Sequence, residues 1–179
     1  MKVRALLVAL ALGAGAGSAP GTAHARPPEA LACAIMAAPA GLDARIADVV
    51  LSRDNDRGRP TLDELRAITD HCGDDQFLSA KERDAYFNYT LGRMARDVLD
   101  GRLAAHGLSS ALIDRALDIG PGNANNPAAE VTQGDLRRVA GAMTDAGQDP
   151  SKVTPDGWGL ITAWIVATAN MFDGQRALD

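Results

Sequence analysis

No stretch of this 179-residue sequence alternates apolar and polar residues in the period of two that a half-buried strand requires, so a sheet is not expected. Positive charge is in short supply: 18 lysines and arginines stand against 23 aspartates and glutamates. Binding to nucleic acid or to an anionic membrane needs clustered positive charge, and neither is expected here. There is no H-E-x-x-H, no P-loop, no G-x-G-x-x-G and no G-x-S-x-G, which removes the common signatures of metalloproteases, nucleotide enzymes and serine hydrolases. Histidine is rare. Beyond His24 there are only His71 and His106, and a triad would have to use one of them. Ser109 and Ser110 beside His106 read as a helix cap, and the adjacency of Cys72 to His71 does not aim a ring at the sulfur. These absences favour a non-enzymatic binding or structural module, with no cofactor, over the alternative of a small periplasmic hydrolase.

Long apolar runs are also missing. Ala5 to Leu12 is too short to span a membrane, which takes about 20 residues. With Lys2 and Arg4 before it and Ala23-His24-Ala25 after it, the run reads as a signal peptide of residues 1–25, cut before Arg26. Ala30-Leu31-Ala32-Cys33 has its small residue and leucine in the wrong order for a lipid-attachment box. The product is therefore expected to be periplasmic or secreted, unanchored, with a formal charge that falls from −5 to −7 once Lys2 and Arg4 are removed. Arginine far outnumbers lysine and alanine is abundant, as in a GC-rich bacterial gene.

Cysteine is limited to Cys33 and Cys72, with no C-x-x-C spacing. Two thiols in an oxidising compartment most simply form one disulfide. Closing a loop of that length is worth about 4 kcal/mol in a chain-entropy treatment.

The periodicity that is present is helical. Leu42, Ile46, Val49 and Val50 form one apolar stripe, and Leu62, Leu65 and Ile68 a second. Further stripes are Phe87, Leu91, Met94 and Val98; Leu112, Ile113, Ala116 and Leu117; and Leu136, Val139, Ala140 and Met143. Thr61…Glu64, Ser79…Glu82 and Thr132…Asp135 each place a hydroxyl three residues before a carboxylate, the pattern of a capping box. Thr154-Pro155-Asp156 is a further helix start. The expected fold is all-α, a bundle-like or orthogonal array of about six helices forming a single domain over 26–179. A loop at 119–130, rich in Pro, Gly and Asn, divides the disulfide-bearing section from a C-terminal helix pair.

The stretch "SRDNDRGRPTLDEL" (52–65) partly resembles an EF-hand calcium loop, which takes ligands at positions 1, 3, 5, 7, 9 and 12 with glycine at 6. With Glu64 at position 12, Gly58 falls at 6, but Arg53 and Arg57 occupy 1 and 5. With Asp54 at position 1, Leu65 falls at 12 and the glutamate is lost. A second register ending at Glu82 has Asp75 at 5 but His71 at 1 and Gln76 at the glycine position. A degenerate calcium-binding module using Asp54, Asp56, Glu64, Asp75 and Glu82 is therefore the alternative reading. No metal is the preferred one, with 52–60 a solvated loop and Thr61 capping the next helix.

Scarce aromatics draw attention to Tyr86, Phe87 and Tyr89. Phe87 belongs to an apolar stripe, which leaves Tyr86 and Tyr89 as a possible ligand surface in the sequence. The run "GWGLITAWIVATANMF" (157–172) is read as a central core helix with Trp158, Ile161, Trp164, Ile165 and Phe172 on one face. Thr168 lies within that face, its hydroxyl expected to bond a carbonyl one turn back. The breadth of this helix also admits self-association.

Overall fold

A computed structural model describes residues 28–120 and 130–179. The expected signal peptide, 1–25, and most of the 119–130 loop lie outside the described residues. Seven α-helices run in the order α1 (Pro28–Ala37), α2 (Leu42–Ser52), α3 (Asn55–Asp75), α4 (Ala80–Ala105), α5 (Ser110–Leu117), α6 (Gln133–Asp145) and α7 (Pro155–Leu178). A 3-10 turn, Pro150–Lys152, precedes α7, and there is no strand among the described residues.

The two longest helices make the most extensive interface. Gly92 of α4 lies against Ala167 and Met171 of α7, whereas Gly174 of α7 lies against Ala85 and Tyr89 of α4. Rising numbers on one helix meet falling numbers on the other, so the pair is antiparallel. A Cβ on Gly92 would stand 2.5 Å from the Ala167 carbonyl oxygen, and one on Gly174 would stand 2.5 Å from that of Ala85. Backbone touches backbone at both places, an approach that only glycine allows.

Around this pair the core divides in two. The larger cluster takes Leu42 and Ile46 from α2, Leu65 from α3, Leu99 and Leu103 from α4, Ile113 and Leu117 from α5, Val139 from α6, and Ile161, Trp164 and Ile165 from α7. The smaller gathers Leu31, Ala34, Cys72, Leu78, Ala85, Tyr86 and Leu178 around the disulfide. Cys33 and Cys72 are bonded with their Cα atoms 6.1 Å apart, tying α1 to the last turns of α3. α1 packs on α3 and α4, so the bond fastens it to the end of the central pair formed by the start of α4 and the close of α7.

Helix α7 shows why "GWGLITAWIVATANMF" is so apolar. Trp164 and Ile165 are wholly buried, Ile161 nearly so, and Ala167 and Ala169 on other sides are buried too. Trp158 and Phe172 are half-buried. α4, α2 and α5 cover the helix, which leaves Trp158, Val166 and Phe172 as its partly exposed large apolar residues. Thr168 is buried as expected, but its hydroxyl makes no hydrogen bond to the preceding turn.

Four helix starts follow the sequence. Ser79 and Thr132 form complete capping boxes with Glu82 and Asp135, Ser109 accepts from the Leu112 N–H, and Thr154 accepts from the Gly157 N–H. The start of α3 does not. Asp54 is its N-cap, accepting from the Arg57 N–H at 3.0 Å, so Arg57 to Pro60 is helical and Thr61 and Glu64 lie in mid-helix. The cap moved because Asp54 is as good a cap as threonine and stands two turns earlier. Pro60 inside the helix removes a single amide donor, at a position exposed to solvent. Gly58 has a packing role there: a Cβ on it would come within 2.5 Å of a Val49 methyl, so it lets α3 close onto α2.

Three corners share one construction. Helices α3, α4 and α6 end with a left-handed residue, and the next element is capped two residues later: Phe77-Leu78-Ser79, Gly107-Leu108-Ser109 and Gly147-Gln148-Asp149. In each, the residue after the left-handed one bonds back five residues: Leu78 to Gly73 at 2.9 Å, Leu108 to Leu103 at 2.9 Å and Gln148 to Met143 at 2.8 Å. This is the Schellman arrangement, and glycine is its usual left-handed residue. At φ 55° Phe77 takes that position with its ring 94% exposed, so no packing offsets the strain.

Two stability predictions follow from this packing. Gly92→Ala should lose about 2 kcal/mol or more, overpacking outweighing its gain in helix propensity. Gly101→Ala, in the same helix with open space around it, should gain about 1 kcal/mol. Equal effects in urea titration would remove the close-contact account. Phe77→Gly should stabilise by about 1 kcal/mol through relief of left-handed strain, and a loss would show that the exposed ring has a packing role.

Candidate functional site

Antiparallel packing brings the close of α4 beside the start of α7, and two clefts lie at that end. His106 is the C-cap of α4, exposed, in the corner that Gly107 turns. A cleft of about 320 Å3 opens on one side, lined by His106, Leu108, Met143, Gln148, Asp149 and Lys152 among others. A second, of about 540 Å3, has His106 on its wall together with Leu51, Arg102, Ala105, Pro155, Asp156 and Leu160. His106 is therefore the partition between two clefts.

Local sequence explains each wall. The Gly107 and Gly147 corners stop α4 and α6 and place Leu108 and Gln148 in the lining of the first cleft. Asp149 caps the 3-10 turn, its carboxylate accepting from the Ser151 N–H at 3.0 Å and the Ser151 hydroxyl at 2.7 Å. Those bonds hold the Asp149 carboxyl below its ordinary range. Lys152 ends the same turn, so a fixed anion and a cation share a cleft whose remaining surface includes Leu108, Met143 and Val153. In the second cleft, Arg102 is held at 2.7 Å by Asp48 of α2.

A third groove, of about 440 Å3, runs between α2, α3, α4 and α7, with Val49, Leu62, Leu91 and Val166 among its walls and Asn88, Asn170 and Arg53 as polar groups.

The residues singled out from the sequence are dispersed. Asp54 and Asp56 sit at the start of α3, where Asp56 pairs with Arg59, while Glu64 lies further along and pairs with Arg45 at 2.5 Å. Asp75 closes α3 and Glu82 belongs to the α4 capping box. No group of three acidic, histidine or cysteine side chains able to hold a metal ion occurs among the described residues. Tyr86 is not a ligand surface. It is wholly buried, its hydroxyl accepting from the Ala34 N–H at 3.0 Å, and burial pushes the phenol above its usual range against the pull of that bond. Tyr89 is half-buried against the disulfide cluster. His71 is exposed near the end of α3, at the end of the central pair away from His106.

Asp149, Lys152 and Gln148 were not singled out from the sequence. The signal available was the pair of left-handed corners, each a glycine two residues before a capping Ser or Asp.

No single described helix is long and apolar enough to cross a membrane; α1 from Ala30 and α2 pass together only by length and composition, and are bent by 98°. No family model matches the chain, and no curated protein or solved structure matches it.

The lowered Asp149 carboxyl gives a test of the cleft's charge. In a carbon-detected carboxyl titration, Ser151→Ala should raise the Asp149 midpoint. A carboxyl lowered by folding contributes stability above the aspartate range near pH 4 and loses it as pH falls through the folded value. An unmoved midpoint would show that Ser151 does not hold the charge.

Proposed function

We propose that the protein is an exported, non-enzymatic binding module that holds a small amphiphilic, dipolar ligand in the first cleft beside His106. The observation that carries this reading is the placement of Asp149 and Lys152 in one cleft with Leu108, Met143 and Val153. Opposite charges fixed beside an apolar surface suit a molecule with an ammonium, an acidic group and a short apolar body. Concave sites of about 300–1,000 Å3 with a few placed polar groups are where small molecules bind. Export is supported by the Cys33–Cys72 bond, which suits an oxidising compartment. Of the carboxylates that the calcium alternative invokes, Asp54 and Glu82 cap helices and Asp56 and Glu64 pair with arginines, which leaves Asp75 alone at the close of α3.

The test is a thermal-shift and ligand-observed NMR screen with free amino acids and betaines. At a hundredfold excess over the dissociation constant, a ligand of this class should stabilise the fold by about 2.7 kcal/mol. Lys152→Ala and Asp149→Asn should each weaken it by about tenfold, the effect of one charge-assisted hydrogen bond. A ligand whose affinity ignores both substitutions, or one that is turned over, would sink the proposal.

A further inference from the structure

The groove of about 440 Å3 between α2, α3, α4 and α7 shares no lining residue with the two clefts beside His106. Asn88 and Leu91 stand three residues apart on α4, and Val166 and Asn170 four apart on α7. Each central helix therefore turns one carboxamide and one apolar side chain to the groove. Val49 of α2 and Leu62 of α3 extend the apolar wall, which is aliphatic throughout. Arg53, which ends α2, and Glu130, ahead of α6, add one charge of each sign.

The antiparallel contact fixes how the two carboxamides stand. Gly92 meets Ala167 and Met171, and Gly174 meets Ala85 and Tyr89, so Asn170 is about level with Leu91. Asn88 is then three residues further along α4, a rise of about 4.5 Å. An extended chain advances about 3.3 Å per residue, so the two carboxamides match peptide units about one or two residues apart. A carboxamide carries a donor and an acceptor side by side, the complement of a peptide C=O and N–H.

The two charges suit the ends of such a chain. Arg45, Arg66 and Arg102 are each held by a carboxylate, whereas Arg53 and Glu130 are exposed and neither is in an ion pair among the described residues. At φ 56° Arg53 also takes the left-handed C-cap position where glycine is usual. Such strain is concentrated at binding sites, where the side chain has a use.

We infer that the groove binds a short extended peptide with free ends and small aliphatic side chains. Its carboxylate pairs with Arg53 and its ammonium with Glu130. Asn88 and Asn170 hold main-chain groups between them, and the aliphatic wall takes the side chains. This site is separate from the one proposed for a dipolar ligand in the first cleft.

The experiment titrates the tripeptide valyl-alanyl-valine into the purified protein and follows side-chain methyl resonances. Those of Val49, Leu62, Leu91 and Val166 should shift saturably, while those of Leu108, Met143 and Val153 in the first cleft stay in place. An N-acetyl or a C-terminal amide on the peptide should each weaken binding about tenfold, the loss of one charged contact. Asn88→Leu and Asn170→Leu, which keep the side-chain shape, should each weaken it about fivefold. Arg53→Gly, which suits the left-handed backbone, should keep the fold, weaken the free peptide about tenfold and leave the C-terminal amide unchanged. The inference is overturned if the groove methyls do not move, if free and end-blocked peptides bind alike, or if Arg53→Gly weakens both forms equally. Groove shifts that grow with protein concentration alone would assign the surface to a second copy and also overturn it. Because end-blocking alters the peptide alone, it decides the matter should a variant fail to fold.

Discussion

The contact on which the fold depends is the one at Gly92 and Gly174, where the backbones of α4 and α7 meet without an intervening side chain. Two glycines in long helices cost about 1 kcal/mol each in propensity. What offsets that cost is the approach they permit, which multiplies dispersion contacts along the whole antiparallel pair. Every other described helix but α6 packs on this pair; α6 reaches it through α5 and through side chains such as Val139. A methyl at either glycine would push the helices apart and loosen both clusters at once.

Because the pair is antiparallel and long, it has two different ends. From Tyr86 to His106 is 20 residues of α4, about 30 Å of rise. At the Tyr86 end, the disulfide, the buried phenol and Leu178 lock α1 over the helices. At the His106 end there is no covalent tie, and the chain changes direction three times within a short space, at Gly107, Gly147 and Thr154. Tight corners cannot fill the volume between them with side chains as a straight helix can, so the clefts form there. The division into a stapled end and an open end is a consequence of where the helices stop.

The legible part of this chain was the part written in local chemistry. Apolar stripes located the helices, and caps at Ser79, Ser109, Thr132 and Thr154 fixed their starts because a hydroxyl can accept only from amides that lie close to it in sequence. Cysteine pairing followed from there being two. The start of α3 was misplaced because Thr61 and Glu64 have the spacing of a capping box, whereas Asp54, seven residues earlier, is the cap that forms. The EF-hand glycine had another cause: Gly58 is small for the sake of Val49, a residue from a different helix. Tyr86 was misassigned for a similar reason, since nothing near it in sequence reveals that α1 will cover it. The clefts were illegible in the same way, being formed by the corners of α4 and α6, some 40 residues apart in the chain.

Phe77 marks the limit of the local rules from the other side. Its corner has the hydrogen bonds of the two glycine corners, and Leu78-Ser79 after it repeats the Leu108-Ser109 that follows Gly107. The turn is thus specified by its neighbours strongly enough to hold a bulky residue in a left-handed conformation that such residues avoid. Leu78 is buried in the disulfide cluster and Ser79 is committed to the α4 capping box, so the chain on the far side of Phe77 cannot relax. The ring is left in solvent because the residues on both sides are fixed by burial and capping. Local strain is tolerated where the surrounding contacts over-determine the backbone, and here they do.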